Sequence, residues 1–322
     1  MRARVKSHLR QSSPKIRDWV WRGWQIRYLV ARPDGETSPK HPPLILLHGF
    51  GAAIGHWRYN IPALSETHVV YALDLLGFGA SRKPPTYYQV DLWAEQVYDF
   101  WHTFIRHPAH LVGNSIGSLV CLAAAVNRPE MVKSMTLISL PDVSLRQEAI
   151  PKWLQPLVSK IEAIFANPLL LRPLFYILRR PKVLRRWAGI AYANPHKIDD
   201  ELVEILATPT YDEGAARAFC ALCQAVSRPN FSPPAKAVLP ELKIPILLIW
   251  GRQDRMVPAS LAPTFAALNP QIKLVELDNA GHCPQDECPT EFNSLLLGWL
   301  ETRSVLESQP STSIELTQKP GF

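Results

Sequence analysis

The sequence has no long apolar run. None of its 322 residues lies in a stretch that approaches the ~20 apolar residues of a membrane-spanning helix. The N-terminus also lacks the apolar core of a secretory signal, because basic residues recur through positions 1–17 and no acid accompanies them. These absences predict an intracellular protein that is either soluble or peripheral to a membrane.

Cysteine is scarce as well, with five residues at irregular spacing. An odd number without a regular pattern argues against a disulfide framework and indicates a reducing compartment. Cys220 and Cys223 form a CxxC pair that, together with Cys283 and Cys288, supplies enough thiols for a zinc site. The pair lies in EGAARAFCALCQAV, however, whose spacing is typical of a helix, so small buried apolar residues are the better interpretation. We therefore predict no metal.

Acidic residues are missing from two segments, in a chain whose formal net charge is +7. The first segment is residues 1–17. The second, 167–193, mixes large apolar residues with Arg172, Arg179, Arg180, Lys182, Arg185 and Arg186. Such a segment is suited to an anionic membrane surface, while a solvated helix face explains it equally. Beyond this charge, no motif indicates nucleic-acid binding.

Apolar runs typical of buried strands alternate with helical patterns through residues 18–140 and again through 241–304. The alternation predicts an α/β fold with a mostly parallel central sheet and helices on both faces. Residues 141–240 are helical in pattern and rich in proline, so we expect a helical lid inserted after the sixth strand. Residues 1–17 are predicted to form a basic arm, and the polar residues 305–322 a disordered tail.

Two glycines flank one serine in HLVGNSIGSLV, where an apolar strand gives way to a helical pattern. Gly113 and Gly117 indicate a turn so tight that side chains at their positions would collide. A G-x-S-x-G turn between strand and helix exposes the serine oxygen and leaves the next backbone N–H free to donate. Ser115 is therefore a candidate nucleophile.

A nucleophilic serine needs a base, and the base needs an acid. His282, in NAGHCPQDE, follows the last predicted strand and is expected at the sheet edge where Ser115 lies. Asp254, in WGRQDRMVP, follows the preceding strand, and the chain order serine, aspartate, histidine is the one that this topology uses. Asp142, after the sixth strand, and Asp278, close to His282 in sequence, remain alternatives for the acid.

Acyl transfer also needs hydrogen-bond donors for the developing oxyanion. The segment HGFG (48–51) follows a predicted strand, and the backbone N–H groups of Phe50 and Ile116 are the expected donors. His48 is expected to be structural and to orient this loop. The segment DLLGFGAS (74–81) lacks the strand-to-helix context of G-x-G-x-x-G, so it predicts a turn and no dinucleotide cofactor.

Five segments in order resemble the α/β-hydrolase superfamily: LLHGFG, DLLGFGAS, GNSIG, WGRQDRMVP and NAGHCPQDECP. The resemblance covers most of the chain and implies Ser115 as nucleophile, Asp254 as acid and His282 as base. It also implies Phe50 and Ile116 as oxyanion donors. The dehalogenase and epoxide-hydrolase branches use an aspartate nucleophile, so a serine at position 115 argues against both.

Three segments are also similar to the chloroplast and cyanobacterial branch that includes pheophytinase and chlorophyll dephytylase: HGFGAAIGHWRYN, GNSIGSLV and AGHCPQDE. This similarity implies hydrolysis of the phytyl ester of a chlorophyll-type pigment. It also implies a place in a plastid, or in the cytoplasm or at the thylakoid surface of a cyanobacterium. One departure is Ser118, where many relatives have a second glycine after the serine turn.

The leading hypothesis is a serine esterase that acts on a bulky hydrophobic ester through an acyl-enzyme. A cofactor-free haloperoxidase-like enzyme or a carbon–carbon bond hydrolase uses the same residues, and bromination or dienone cleavage would identify it. A non-enzymatic small-molecule receptor on the same fold would bind its ligand without turnover.

Overall fold

One eight-stranded sheet organises the chain in a computed structural model that describes residues 14–34, 41–142 and 167–308. Its spatial order is β1-β2-β4-β3-β5-β6-β7-β8. The strands β1 and β2 pair antiparallel, β2 and β4 pair antiparallel, and all other neighbours are parallel. The strands are β1 Lys15–Trp21, β2 Trp24–Ala31, β3 Leu44–Leu47, β4 Val70–Leu73, β5 Ala109–Asn114, β6 Val132–Ile138, β7 Ile246–Gly251 and β8 Ile272–Leu277.

Helices cover both faces of this sheet, as the alternating pattern predicted. The helices of the described residues are α1 Ile61–Leu64, α2 Val90–Phe104, α3 Ile116–Asn127, α4 Pro168–Leu178, α5 Pro181–Ala191, α6 Asp200–Ala207, α7 Ala215–Val226, α8 Ala235–Val238, α9 Leu261–Ala266, α10 Pro284–Glu287 and α11 Pro289–Ser308. None of the helices in the described ranges has the length and hydropathy needed to cross a membrane.

The buried residues form two large clusters, one on each face of the sheet. On one face, α2, α3 and α9 contribute side chains such as Phe100, Leu119 and Phe265. On the other face, α1 and α11 contribute Leu64 and Phe292. The central strands β3, β4, β5 and β7 are buried along their whole length, which explains why they read as continuous apolar runs.

The first two strands form a hairpin with its turn at Arg22 and Gly23. Both residues have positive φ, +50° and +83°, which a two-residue turn between twisted strands favours.

Strand β1 begins at Lys15, paired with Val30, so the last residues of the predicted basic arm belong to the sheet. Residues 1–13 and the remainder of the predicted tail, 309–322, lie outside the described residues. Helix α11 continues to Ser308, beyond the predicted start of that tail.

The segment predicted to form the lid, residues 141–240, lies between β6 and β7. Its described residues, 141–142 and 167–240, include the helices α4 to α8, short 3-10 turns and loops, and none of them lies in a strand. Residues 143–166 of the predicted lid lie outside the described residues. Lys83 connects the inserted segment to the core. Its buried ammonium lies 2.7 Å from Asp212 Oδ2 of the inserted segment and donates to Gly79 O of the core at 2.6 Å.

The carboxyl ends of the parallel strands all lie at one edge of the sheet. The loops after β3, β5, β7 and β8 therefore meet there, and the inserted helices begin after β6 at the same edge. Ligands bind at this edge in open α/β sheets. The fold thus brings the HGFG loop, the serine turn, the Asp254 loop and the His282 loop together.

Candidate active site

Ser115 lies on a strained turn between β5 and α3. Its φ of +55° and ψ of −114° fall outside the helix and strand regions, and its N–H donates to Ile138 O at 2.9 Å. A Cβ at Gly113 would lie 2.3 Å from the carbonyl carbon of Gly117, and one at Gly117 would lie 2.2 Å from Leu47 O. The tight turn predicted from the two glycines is confirmed, because no larger residue fits at either position.

His282 and Asp254 are hydrogen-bonded to each other in the loops that follow β8 and β7. His282 Nδ1 lies 2.9 Å from Asp254 Oδ2, and both side chains are buried. The second carboxylate oxygen, Oδ1, accepts the backbone N–H groups of Met256 and Val257 at 2.8 and 2.9 Å. These two bonds hold the carboxylate so that Oδ2 faces the imidazole ring.

The two alternative acids have other partners. Asp142 Oδ2 accepts the backbone N–H of Lys236, near the start of α8, at 3.0 Å. Asp278 is exposed, and its Oδ1 lies 3.3 Å from Nη1 of Arg252. The structure therefore brings Asp254 to Nδ1 of the histidine ring, and the other two carboxylates are engaged elsewhere.

The serine turn and the histidine loop lie side by side. Asn114, the residue before Ser115, donates from Nδ2 to His282 O at 3.0 Å. Within the described part of the chain, no hydrogen bond joins the Ser115 hydroxyl to the His282 ring. Bonds of this kind are often long before a substrate binds and shorten in the complex. The serine side chain is partly exposed, so an incoming substrate can reach it.

The loop after β3 passes directly beside the serine turn. A Cβ at Gly49 would lie 2.8 Å from Asn114 Oδ1 and 3.4 Å from Ser115 Cβ. The next residue, Phe50, is 40% exposed. Ile116 is the first residue of α3, so its N–H has no carbonyl partner within the helix. Both predicted oxyanion donors therefore belong to segments that meet at Ser115.

His48 holds this loop from inside the protein. The ring is buried, with Nδ1 2.8 Å from Gly49 O and Nε2 accepting the N–H of Leu75 at 3.1 Å. Burial lowers the pKa of His48, which favours the neutral ring that these two bonds require. The contacts agree with the structural role predicted for this residue.

Comparison with known proteins identifies the family. The family model described as the alpha/beta hydrolase fold matches residues 42–289, which is more than half of the chain. The chain belongs to the α/β-hydrolase family. It is therefore a hydrolase, and the superfamily resemblance drawn from the sequence is confirmed.

Relatives within the family have diverse names. The chain is 27% identical over 293 residues to 2-hydroxymuconate semialdehyde hydrolase of Pseudomonas sp. strain CF600, covering 89% of this chain and 94% of that protein. It is 25% identical over 357 residues to chloroplastic pheophytinase of Arabidopsis thaliana, covering 93% and 67%. Among solved structures, a membrane phospholipase A described as a bacterial virulence factor is 29% identical with a TM-score of 0.70, covering 90% and 86%.

Ser118 is the position at which the sequence resemblance implied a departure from glycine. Its buried hydroxyl lies 2.7 Å from Gly113 O and accepts the backbone N–H of Ile138 at 3.0 Å. The hydroxyl therefore joins the first turn of α3 to the ends of β5 and β6. The same two strand ends hold Ser115, so the departure adds a support for the serine turn.

Three buried residues near the histidine loop escaped the sequence reasoning: Glu287, Asp286 and Tyr192. Glu287 accepts backbone N–H groups from both sides of His282, Gly281 at 2.8 Å and Cys283 at 3.3 Å. The only hint in the sequence was the pair of acids in CPQDECP, four and five residues after His282. Acids in such a loop are usually exposed, so that pair gave no reason to expect burial.

Asp286 lies in a buried polar cluster next to Glu287. Its carboxylate accepts the Tyr192 hydroxyl at 2.7 Å and lies 3.1 Å from Nη1 of Arg58. The Tyr192 hydroxyl lies 2.9 Å from Nε2 of His56. Burial raises the pKa of Asp286 to about 6 and lowers that of His56 to about 3. The cluster connects the segment after β3, the end of α5 and the histidine loop.

The cysteines considered for a zinc site lie apart in the fold. Cys220 and Cys223 are on helix α7, as their spacing predicted, whereas Cys283 and Cys288 flank helix α10. Among the residues that the structure describes, no three His, Cys, Asp or Glu side chains are grouped so that they could hold a metal ion.

We predict that Ser118→Ala destabilises the protein, because Gly113 O and the N–H of Ile138 lose a buried hydroxyl partner. The expected loss is about 1–3 kcal/mol of unfolding free energy, measured by urea denaturation. Ser118→Gly should be no more stable than Ser118→Ala, since it also removes the hydroxyl. The control is Ser294→Ala on the exposed face of α11. An equal effect of Ser118→Ala and Ser294→Ala would contradict the support assigned to the hydroxyl.

Proposed function

We propose that this hydrolase cleaves carboxylic esters through an acyl-enzyme formed on Ser115. The observation that carries the proposal is the buried bond between His282 Nδ1 and Asp254 Oδ2, in a loop tied through Asn114 to the serine turn. A base that is oriented by a carboxylate and placed beside a partly exposed serine is the arrangement that activates a hydroxyl nucleophile.

In the first half of the reaction, Ser115 Oγ attacks the ester carbonyl while His282 Nε2 takes the hydroxyl proton. The carbonyl oxygen becomes an oxyanion, which accepts the backbone N–H groups of Phe50 and Ile116. Asp254 Oδ2 accepts a hydrogen bond from the Nδ1–H group of His282 and stabilises the imidazolium without becoming protonated. The imidazolium then gives its proton to the alcohol oxygen, the ester C–O bond breaks, and the acyl group stays on Ser115.

Water completes the cycle. His282 takes a proton from a water molecule as its oxygen attacks the acyl carbonyl, and a second oxyanion forms at the same two donors. The imidazolium returns the proton to Ser115 Oγ as the acyl C–O bond breaks, which releases the carboxylic acid. No metal or cofactor enters any step.

We infer a bulky hydrophobic ester as substrate, with the phytyl ester of a chlorophyll-type pigment as the specific candidate. The similarity to chloroplastic pheophytinase over 93% of this chain supports the candidate. The similarity to a membrane phospholipase A supports the wider class of lipid-like esters. On p-nitrophenyl esters of increasing acyl length, kcat/KM should rise with chain length.

A carbon–carbon bond hydrolase is the second candidate. It is favoured by the similarity to 2-hydroxymuconate semialdehyde hydrolase, which extends over 94% of that protein. Its reaction would use the same histidine and oxyanion donors, with a carbon leaving group in place of an alcohol. Loss of dienone absorbance with no p-nitrophenyl ester turnover would favour this candidate over the esterase.

We predict that Ser115→Ala and His282→Ala each lower ester turnover by roughly three orders of magnitude or more, since the two residues act as one unit. Asp254→Asn should be nearly as damaging, because the ring loses its carboxylate partner. Asp142→Asn is the control and should leave turnover close to wild type, measured as kcat on a p-nitrophenyl ester. A larger loss in Asp142→Asn than in Asp254→Asn would assign the acid to Asp142.

We also propose that helices α4 and α5 dock on an anionic membrane that holds the substrate. The inner face of α4 packs on the other inserted helices, where the Phe175 and Phe219 rings lie 5.2 Å apart. Its outer face presents Leu170, Leu174 and Ile177, three exposed residues at helical spacing. Helix α5 adds Trp187, which is 56% exposed. These exposed residues, together with the basic residues of α4 and α5, are called the α4–α5 surface.

The basic residues of the α4–α5 surface differ in whether their charged groups already have partners within the protein. Arg185 pairs with Asp200 and donates to Ile198 O, although the sequence of 167–193 contains no acid. Arg179 stacks on the Tyr176 and Tyr211 rings. In the described parts of the chain, no carboxylate lies within ion-pair distance of the other four cations, which are Arg172 on α4 and the group Arg180, Lys182 and Arg186 at the start of α5 and along it. The group of three is the one best able to meet lipid phosphates.

We predict that replacing Arg180, Lys182 and Arg186 with glutamine weakens binding to anionic vesicles. Each charge near the surface contributes about 1 kcal/mol, screened beyond ~8 Å at physiological salt, so the partition coefficient should fall on the order of 100-fold at low salt. Turnover of a short soluble ester should not change. The measurement is co-sedimentation with phosphatidylglycerol vesicles, with phosphatidylcholine vesicles for comparison.

The matched control replaces three basic residues at the opposite edge of the sheet, Arg106, Lys243 and Lys273, with glutamine. Arg106 precedes β5, Lys243 precedes β7, and Lys273 is the second residue of β8. All three therefore lie at the amino ends of the strands, at the edge of the sheet away from the α4–α5 surface. Equal binding by the wild type and by both triple variants would show that the α4–α5 surface is only a solvated face.

A further inference from the structure

Glu287 is a fully buried carboxylate in the loop of the candidate base. It closes the short helix α10, five residues after His282, and is 2% exposed. Oε1 accepts the N–H groups of Gly281 at 2.8 Å and of Cys283 at 3.3 Å, and Oε2 accepts the N–H of Ala193 at 2.6 Å. Within the described residues, no lysine or arginine lies at ion-pair distance from this carboxylate. Its charge is therefore compensated by backbone dipoles.

These bonds enclose the backbone of His282. The residues immediately before and after it donate to the same oxygen of Glu287, and His282 N–H itself donates to Ala191 O at 2.7 Å. His282 O accepts from Asn114, beside the nucleophile. The segment cannot shift without breaking several buried hydrogen bonds at once, each of which leaves a polar group unpaired.

The approach is too close for any residue other than glycine before the histidine. A Cβ at Gly281 would lie 2.3 Å from Ala191 O and 3.1 Å from Glu287 Oε1. Ala191 ends helix α5 and Ala193 follows it, so Glu287 also joins the end of that helix to the histidine loop. The neighbouring acid, Asp286, has different partners, namely Tyr192 and Arg58.

We propose that Glu287 is a positioning residue that fixes His282 between Ser115 and Asp254 and locks its loop to the end of helix α5. The proposal rests on the proposed function, in which His282 moves protons for Ser115. A base that must reach Ser115 Oγ, and then the leaving oxygen, tolerates little displacement. A shift of about 1 Å at a catalytic group can reduce the rate about 100-fold.

The test compares kcat and KM of Glu287→Ala and Glu287→Gln on a short soluble p-nitrophenyl ester, which needs no membrane. Glu287→Ala removes every acceptor, and its kcat should fall about 10- to 100-fold while KM changes little. Glu287→Gln keeps one oxygen for Gly281 and Cys283 but turns an NH₂ group toward Ala193 N–H. It should recover much of the kcat that the alanine variant loses.

The stability control is Asn269→Ala, which removes a buried side chain that donates to Leu239 O and Leu242 O. Asn269 precedes β8, so it lies at the edge of the sheet opposite the site. All variants are measured below their thermal midpoints, so that only folded enzyme is compared. If Glu287→Ala does not fold, Glu287→Asp decides, because it keeps the charge but shortens the reach to the backbone. Its kcat should also fall with KM little changed.

Three results would overturn the proposal. They are wild-type kcat in the folded alanine variant, wild-type kcat in the aspartate variant, or an equal kcat loss in Asn269→Ala. Failure of the proposed function looks different, because His282→Ala itself would then retain ester turnover. An inactive His282→Ala together with a fully active Glu287→Ala would reject only the positioning role.

Discussion

The close approach of backbone to backbone at the serine turn is the constraint on which the site depends. Strand β5 can lead into α3 only because Gly113 and Gly117 have no side chain, and α3 packs against the end of β3 through the same contact. Ser115 takes up the strain in a positive φ. Because strained backbone persists only where its surroundings hold it, the hydroxyl of Ser118 and the carbonyl of Ile138 are part of the same construction.

The histidine loop is held in a different way, by buried carboxylates. Asp254 orients the ring from β7, and Glu287 fixes the backbone on both sides of it. The carboxylates pair mainly with backbone N–H groups, which are rigid, and less with long side chains, which are flexible. The end of α5 shares these contacts, so the helix that carries part of the α4–α5 surface is joined to the histidine loop.

Local patterns predicted the sheet and the serine turn, because continuous apolar runs and paired glycines have few structural solutions. Chain order favoured Asp254, and the structure places it against His282. Contacts between distant segments were beyond the sequence. Nothing local revealed that Glu287 is buried, since its burial involves a distant partner, Ala193, which follows the end of an inserted helix. The pairing of Arg185 with Asp200 was missed for the same reason.

The most direct measurement is the site of covalent labelling by a fluorophosphonate, determined by peptide mass spectrometry. Such a reagent phosphonylates a serine that is activated by a base. The adduct is expected on the peptide that contains Ser115, absent in Ser115→Ala and formed far more slowly in His282→Ala. Labelling of another residue, or unchanged labelling in Ser115→Ala, would contradict the mechanism.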